Sequence, residues 1–359
     1  MTRLALVMIA RDEARAIGHA LESVRPHIDR MIVLDTGSLD ATAEIARAAG
    51  AEVHPFPWID DFSAARNAAL AHSDADWNLV LDADEWIAGG VEALGPQVLV
   101  AGGGGFLGEV RIESRMDQPG AEGAGQSWIA RVLPRGVVYE GRVHEQPVSD
   151  LPRMRLPLRI GHDGYLDENL ARKGARNETL LMAELKMAPE DAYLWFQLAK
   201  EHQARGRAPQ AALCFTEALR LAQPDVPWRH ALVVRALIAL KDSGQLAEAL
   251  ALADREVANW LDSPDFYFVV GDLYLEAASR DPDRALDRFL PVAESAWKRC
   301  LEIGERPELD GAIAGRGGYM AAHNLAVFYE TLGRTEPATQ HRELAERLRA
   351  KDRTPSRPT

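Results

Sequence analysis

Cysteine is scarce in this 359-residue chain, long apolar runs are missing, and basic residues are outnumbered. The only cysteines, Cys214 and Cys300, sit among apolar neighbours in helical patterns, so they read as reduced core residues rather than a disulfide or a metal site. A reducing cytoplasm fits that usage. The longest N-terminal apolar run, Leu4 to Ala10, is too short for a membrane span and lacks the length and cleavage signature of a signal peptide. With 41 Lys and Arg against 54 Asp and Glu, the net charge of −13 opposes nucleic acid and anionic membranes, though one nucleotide in a local basic pocket remains compatible. No G-x-G-x-x-G follows the first apolar run, which argues against a dinucleotide-binding domain. The glycines at 102 to 105 follow no clear strand and read as a loop.

At 47% hydrophobic and 26% charged, the composition is that of an ordinary soluble protein, long enough for two domains. Leu4 to Ala10 is continuously apolar, as in a strand covered on both faces. Ile17, Ala20, Leu21 and Val24 then follow helical spacing. A second strand, Met31 to Leu34, ends in Asp35-Thr36-Gly37-Ser38, and Asp40 is placed to cap a helix running to Gly50. This is a β-α-β-α opening, the doubly wound pattern.

The stretch Trp77 to Trp86 organises the rest. Its apolar Leu79-Val80-Leu81 breaks into Asp82-Ala83-Asp84-Glu85, placing carboxylates at the carboxyl end of a buried strand, where open α/β sheets bind ligands. In an extended chain Asp82 and Asp84 face the same side. Paired hard oxygens suit Mg²⁺ or Mn²⁺, which complete their shells with water and phosphate oxygens, so the expected substrate carries a diphosphate. The plainer alternative makes Asp84 a helix cap and Asp82 a solvated strand end.

Upstream, Asp61 or Ser63 can cap a helix from Ser63 to His72, with Arg66 and Asn67 in its first turn. An arginine near a positive helix end gains nothing from the dipole, so Arg66 answers to a negative partner: Asp35, Asp82 or a phosphate. Downstream, Gly108 to Glu113 alternates, Trp128 to Leu133 is apolar, and Val137 to Val143 leads into His144-Glu145, a candidate acid/base pair. His162, ahead of Asp163-Gly164-Tyr165, is either a metal ligand or a satisfied surface residue.

Met8 to Glu13, Ile32 to Ser38 with Asp40 and Thr42, Phe56-x-Trp58-x-Asp60-Asp61-Phe62 with Arg66-Asn67, and Leu81 to Glu85 resemble, in order and spacing, glycosyltransferase family 2 enzymes of GT-A fold. The likeness continues through Arg131, Tyr139 to Glu145 and His162-x-Gly-Tyr165, as in the subgroup that carries tetratricopeptide repeats and includes peptide S-glycosyltransferases. The resemblance implies that Ala10, Arg11, Glu13 and Asp35 hold the base and ribose of a nucleotide sugar. Arg66 would contact base or diphosphate, Asp82 ribose or metal, and Asp84 the metal, with His162 as a further metal candidate. Leu39 and Ala41 depart from the more usual Thr and Gly, and Asp163 stands where an aromatic residue is common.

From about Pro189 the pattern becomes paired amphipathic segments near the tetratricopeptide period. One repeat runs through Trp195, Leu198, Ala199, His202 and Gly206; a second through Val233, Ala236, Leu240 and Gly244; a third, less regular, through Tyr267, Val270, Gly271 and Tyr274. The fourth follows a Gly-rich insert at 304 to 318. The expected architecture is an α/β GT-A domain over 1–170, an all-α tetratricopeptide-like solenoid over 171–350, and a disordered tail over 351–359. The expected activity is metal-dependent, inverting transfer from a nucleoside-diphosphate sugar, with uridine as the expected base, to a peptide or protein acceptor presented by the repeats. A glycan or lipid-linked acceptor and an inactive repeat scaffold are the alternatives, and a homodimer through the repeats is another use of such a surface. Inversion needs a base opposite the leaving diphosphate, and Glu145 is favoured for it over His144.

Overall fold

The computed structural model describes residues 2–101, 105–114, 125–162 and 167–353. The residues Asp163, Gly164 and Tyr165, most of the 102 to 105 loop and the last six positions of the expected tail lie outside the described residues. Two compact units meet in sequence between Glu184 and Leu185. The expected division at 170/171 falls inside a helix, Asp167–Met187.

The first unit is built on an eight-stranded mixed sheet. Its strands are β1 (Leu4–Ala10), β2 (Arg30–Asp35), β3 (Glu52–Pro55), β4 (Trp77–Asp82), β5 (Glu85–Gly89), β6 (Leu107–Ser114), β7 (Gly125–Pro134) and β10 (Arg153–His162). Their spatial order is β3-β2-β1-β4-β7-β6-β10-β5. The first four are parallel, and β7 joins β4 antiparallel. A small separate hairpin pairs β8 (Val138–Glu140) with β9 (Gln146–Val148). Helices α1 (Ile17–Val24), α2 (Thr42–Ala48), α3 (Phe62–Ala71), α4 (Pro96–Ala101) and α5 (Asp167–Met187) complete the unit.

Alternation along the strands sorts the core into two layers. Leu4, Leu6, Met8, Leu79 and Leu81 pack with Ile17, Leu21 and Val24 of α1 on one face. Ala5, Val7 and Val80 pack with Ala65 and Ala69 of α3 on the other. The continuous apolar β1 is therefore a strand covered on both sides, and Asp82, two residues beyond Val80, projects toward α3.

Local departures from expectation have physical causes. Helix α2 starts after Ala41, with no side-chain cap, and ends at Ala48 rather than Gly50. Asp40 lies just outside it and accepts from the Thr42 backbone and hydroxyl and from Ala14 N. It thereby ties the β1 loop to the start of α2. Pro157 interrupts the pattern of β10 and hides that strand from a reading of periodicity. The proline sits where the register against β6 shifts between Arg155 and Arg159, a place in a sheet that tolerates a missing N–H.

The second unit stacks four antiparallel helix hairpins: α6 (Ala192–Ala204) with α7 (Ala208–Leu221), α8 (Arg229–Asp242) with α9 (Leu246–Glu256), α10 (Pro264–Arg280) with α11 (Leu290–Ile303), and α12 (Tyr319–Thr331) with α13 (Thr335–Arg353). Three first helices turn at left-handed Gly206, Gly244 and Gly333, where φ is 66°, 82° and 70°. In the third hairpin the indole of Trp297 lies against Gly271, where an added Cβ would approach Nε1 to 2.4 Å. The final helix continues through Lys351 to Arg353, into the segment expected to be tail. Both cysteines are buried outside any disulfide, and burial raises the Cys300 thiol well above its ordinary range, as expected of a core residue. No helix among the described residues is long and apolar enough to cross a membrane.

Burial of Asp272 on α10 raises its carboxyl pKa to about 6, with Arg316 and Lys241 opposing the shift. The fold then binds a proton that the unfolded chain does not between about pH 4 and 6, so this group's contribution to stability falls as pH rises through that window. Asp272→Asn keeps the hydrogen-bonding shape toward Asn324 and removes the buried charge. It should raise the melting temperature at pH 7.5, with the gain vanishing near pH 4; calorimetric melts at the two pH values check this.

Candidate active site

The carboxyl ends of β1, β2 and β4 lie side by side, with Ile9 opposite Asp82 and Ala10 opposite Asp35. Loop hydrogen bonds lock these ends together. Asp12 N donates to Ser38 Oγ at 3.0 Å, Ser38 Oγ donates to Asp35 Oδ1 at 2.5 Å, and Leu39 N donates to Asp12 Oδ1 at 2.8 Å. Glu13 is buried, and its backbone N–H is held by Thr42 Oγ1 at 2.8 Å. The structure thus gathers Ala10, Arg11, Glu13 and Asp35 around one edge.

Beside them lies a buried charge network. Asp82 Oδ1 accepts from Arg66 Nη2 at 2.6 Å, and its Oδ2 accepts from Arg131 Nη2 at 2.8 Å. Arg131 also donates to Glu85 Oε1 at 2.6 Å, and Glu85 Oε2 accepts the Asp82 backbone N–H at 2.9 Å. Arg66 Nε donates to Glu145 Oε1. Burial opposes the charged form of Asp82, but Arg131 and Arg66 outweigh it and hold its carboxyl far below the usual range. Burial pushes Glu85 the other way, with Arg131 acting against it. Both guanidinium side chains are 7% exposed while that of Asp82 is 36% exposed, so within this network Asp82 is the carboxylate open to a ligand.

Helix α3 and the β8–β9 hairpin position the network. Asp61 is the cap, accepting from Ala64 N and Ser63 Oγ, each at 2.8 Å. Arg66 consequently falls in the second turn, on the buried side of α3 facing Asp82, and not in the first turn. One residue on, Asn67 exchanges two hydrogen bonds with the Tyr139 backbone, at 2.8 and 2.9 Å. Phe62 N also donates to Arg142 O at 2.8 Å. The hairpin is thus fixed on α3, which delivers Glu145 to Arg66. Tyr139 lies beneath with its ring centroid 5.6 Å from the Arg66 guanidinium, and burial pushes its hydroxyl pKa up to about 12.

His144 and Glu145 occupy the turn between β8 and β9 and do not follow a strand running to Val143, because β8 stops at Glu140. Among the described residues, the non-glycine positions with left-handed backbone are Asp12 (φ 55°), Asp60 (φ 57°) and His144 (φ 53°). All three lie in loops attached to this edge, where stored strain is commonly found at working sites.

Asp82 and Asp84 do not face one ligand through strand alternation. The strand ends at Asp82, and Ala83-Asp84 form the turn into β5. Asp84 instead lies beside His162, with Oδ2 and Nε2 3.6 Å apart. The order that permits this comes from Gly161, paired with Trp86: a Cβ there would meet the indole at 2.4 Å. Close packing of Trp86 on Gly161 sets His162 opposite Glu85, next to Asp84. Asp82, Asp84 and His162 therefore do not form a three-ligand cluster; among the described residues no such cluster of His, Cys, Asp and Glu occurs. Asp84 and His162 still offer one carboxylate and one imidazole at one point. That donor set fits a divalent ion whose remaining positions are filled by water and phosphate oxygens.

Residues 5–100 match the family model described as glycosyl transferase family 2. The first unit carries a family 2 glycosyltransferase domain. Across a longer span, the chain is 30% identical to a TPR repeat-containing protein of Synechococcus elongatus, Synpcc7942_0270, over 70% of this chain and 64% of that protein. It is 28% identical to the SPbeta prophage-derived glycosyltransferase SunS of Bacillus subtilis, over 54% of this chain and 48% of SunS. The chain thus spans less than two thirds of the length of either relative. Among solved structures, MamA covers 52% of this chain at 16% identity and a TM-score of 0.41.

Neither Arg131 nor Glu85 takes a site role on sequence, although an arginine inside the otherwise apolar Trp128 to Leu133 run is the available signal. Removing Arg131 leaves Glu85, whose side chain is 3% exposed, without its cation. Arg131→Met should cost about 3–5 kcal/mol, the scale for breaking a buried ion pair from one side. Urea denaturation of the variant against the wild type measures it, and a loss under about 1 kcal/mol, as for a surface pair, would show the network to be dispensable.

Proposed function

We propose that the protein transfers a sugar, with inversion, from a nucleoside-diphosphate sugar to a peptide or protein acceptor held in part by the helical unit. Uridine diphosphate is the nucleotide we favour. The observation that carries the donor half is the match of residues 5–100 to the family 2 model, in which the strand ends set Asp35 and Asp82 on one edge and Arg66 of α3 pairs with Asp82. Ala10, Arg11, Glu13 and Asp35 would surround base and ribose. Arg66 and Arg131 hold positive charge next to Asp82. Asp84 and His162 would hold Mn²⁺ or Mg²⁺, which when bound neutralises charge that develops on the departing diphosphate.

Glu145 is the proposed base. Arg66 fixes it through Oε1, which leaves Oε2 as the atom that takes the acceptor's proton. An acceptor that ionises easily, such as a cysteine thiol, needs the least help from such a base. The helical hairpins support a chain-like acceptor, because stacked hairpins present an extended surface.

Incubation with a panel of nucleotide sugars and Mn²⁺, with release of the nucleoside diphosphate as readout, tests the donor assignment. Asp84→Ala should abolish the metal-dependent part of donor binding measured by calorimetry; undiminished binding would remove Asp84 as a ligand. Glu145→Gln should keep donor affinity and lose transfer by about 10²-fold, the scale of a general base. Wild-type transfer by Glu145→Gln would place the base elsewhere.

A further inference from the structure

Two histidines stand face to face at one edge of the first unit. His54 belongs to β3, the edge strand of the sheet, and His72 ends α3, where its backbone N–H donates to the Ala69 and Leu70 carbonyls. Their rings stack with centroids 3.7 Å apart and planes 9° from parallel. Between them in sequence lies one excursion of the chain. It begins with Phe56, whose N–H donates to the Asp35 carbonyl, continues through Asp61, the cap of α3, and carries Arg66 and Asn67. The stacked rings join the two ends of that excursion as a clasp.

The carboxylates around the stack are already matched. On β3, Glu52 lies two residues from His54 and hence on the same face of the strand, but both its oxygens accept from Arg30 of β2, Oε1 from Nε at 2.8 Å and Oε2 from Nη2 at 2.7 Å. Past α3, Asp74 accepts from Arg30 Nη1 at 2.6 Å and from Arg3 Nη1 at 2.9 Å. His54 Nε2 is enclosed and has no hydrogen-bond partner among the described residues, so a charged His54 would bury an N–H without an acceptor. On His72, burial is the largest influence and the charge of His54 the next; they lower its pKa from 6.5 against a weaker pull from Glu52. The carbonyl end of α3 favours a charge on His72. A first proton has that support, whereas a second puts like charges on rings 3.7 Å apart.

We infer that His54 and His72 form an acid-released clasp on the helix that carries Arg66. Above the ordinary histidine range both rings are neutral and stack as flat apolar faces. As pH falls below about 6.5, the open arrangement takes up protons that the clasped one resists. The clasp's contribution is therefore complete at high pH and is lost on acidification. What opens is the last turn of α3 against β3. Ala65 and Ala69 stay packed in the core and Asn67 keeps its bonds to Tyr139, so the release is local. It sets how firmly the helix that offers Arg66 to Asp82 is anchored at its carboxyl end, and no substrate takes part in it.

Amide hydrogen exchange of the full-length protein at pH 7.5 and 5.0, read by mass spectrometry and corrected for the intrinsic pH dependence of exchange, tests the clasp. Peptides covering 67–73 report it, with α9, which holds no histidine, as internal reference. In the wild type, opening of 67–73 relative to α9 should rise about threefold or more at pH 5.0, the scale set by unequal proton affinity of clasped and open rings. His72→Phe keeps a flat ring on His54 and removes one of the two protons, so its ratio should match wild type at pH 7.5 and stay there at pH 5.0. His72→Gln removes the ring, and 67–73 should already exchange faster than wild type at pH 7.5. A wild-type ratio that does not change with pH, a rise that persists in His72→Phe, or wild-type protection of His72→Gln at pH 7.5 each overturns the clasp.

Discussion

A carboxylate at the end of a buried strand, held between two guanidinium groups, is the constraint on which the first unit depends. Arg66 and Arg131 favour the ionised form of Asp82 against the opposing effect of burial. Each arginine in turn has a second carboxylate to satisfy, Glu145 for one and Glu85 for the other. This chain of pairs ties β4, β5, β7, α3 and the β8–β9 turn to one point. Core packing places these elements roughly, and the ion pairs fix their register where chemistry needs it. The arrangement also explains why α3 and the small hairpin are joined by backbone-directed hydrogen bonds through Asn67: without that joint Glu145 would not reach Arg66.

Much of this fold is legible in the amino-acid chain itself. The apolar β1, the helix spacing of Ile17 to Val24 and the break from Leu81 to Asp82 are strong one-dimensional signals, because each reflects burial on a regular period. The hairpin series in the second unit is readable for the same reason, from small and large residues recurring around Gly206, Gly244 and Gly333. What stays hidden is whatever depends on a turn or on a long-range partner. The period-two reading of Asp82 and Asp84 fails because the strand stops at the first of them. The neighbour that Asp84 gains, His162, is remote in the chain and is set by an indole packed on Gly161. Arg131 is visible as a polar residue in an apolar strand and as a position of the family likeness, with nothing nearby in sequence to name its partners. The insert at 304–318 is recognisable by composition, yet its path over α8 and α10 is written in Asp265 and His230, which read as ordinary helix-start residues.

The two units use charge in contrasting ways. In the first, cations are matched by buried carboxylates, and the least enclosed member of the network, Asp82, faces the strand-end edge. In the second, Asp265 and Arg316 are already matched by the fold, while Lys200 rests on a neutral glutamine. A satisfied pair of that kind stiffens the segment it fastens.

The strap made by the insert also bears on how the hairpins come apart. In a simple solenoid each hairpin touches only its neighbours, so stability is close to a sum of local terms and the ends can fray independently. Here a segment entering α12 is fastened to the starts of α8 and α10, which belong to the second and third hairpins. Opening the last hairpin therefore requires releasing contacts with the second. The array is cross-braced, and its three later hairpins are coupled into a single cooperative block rather than a series of separable repeats.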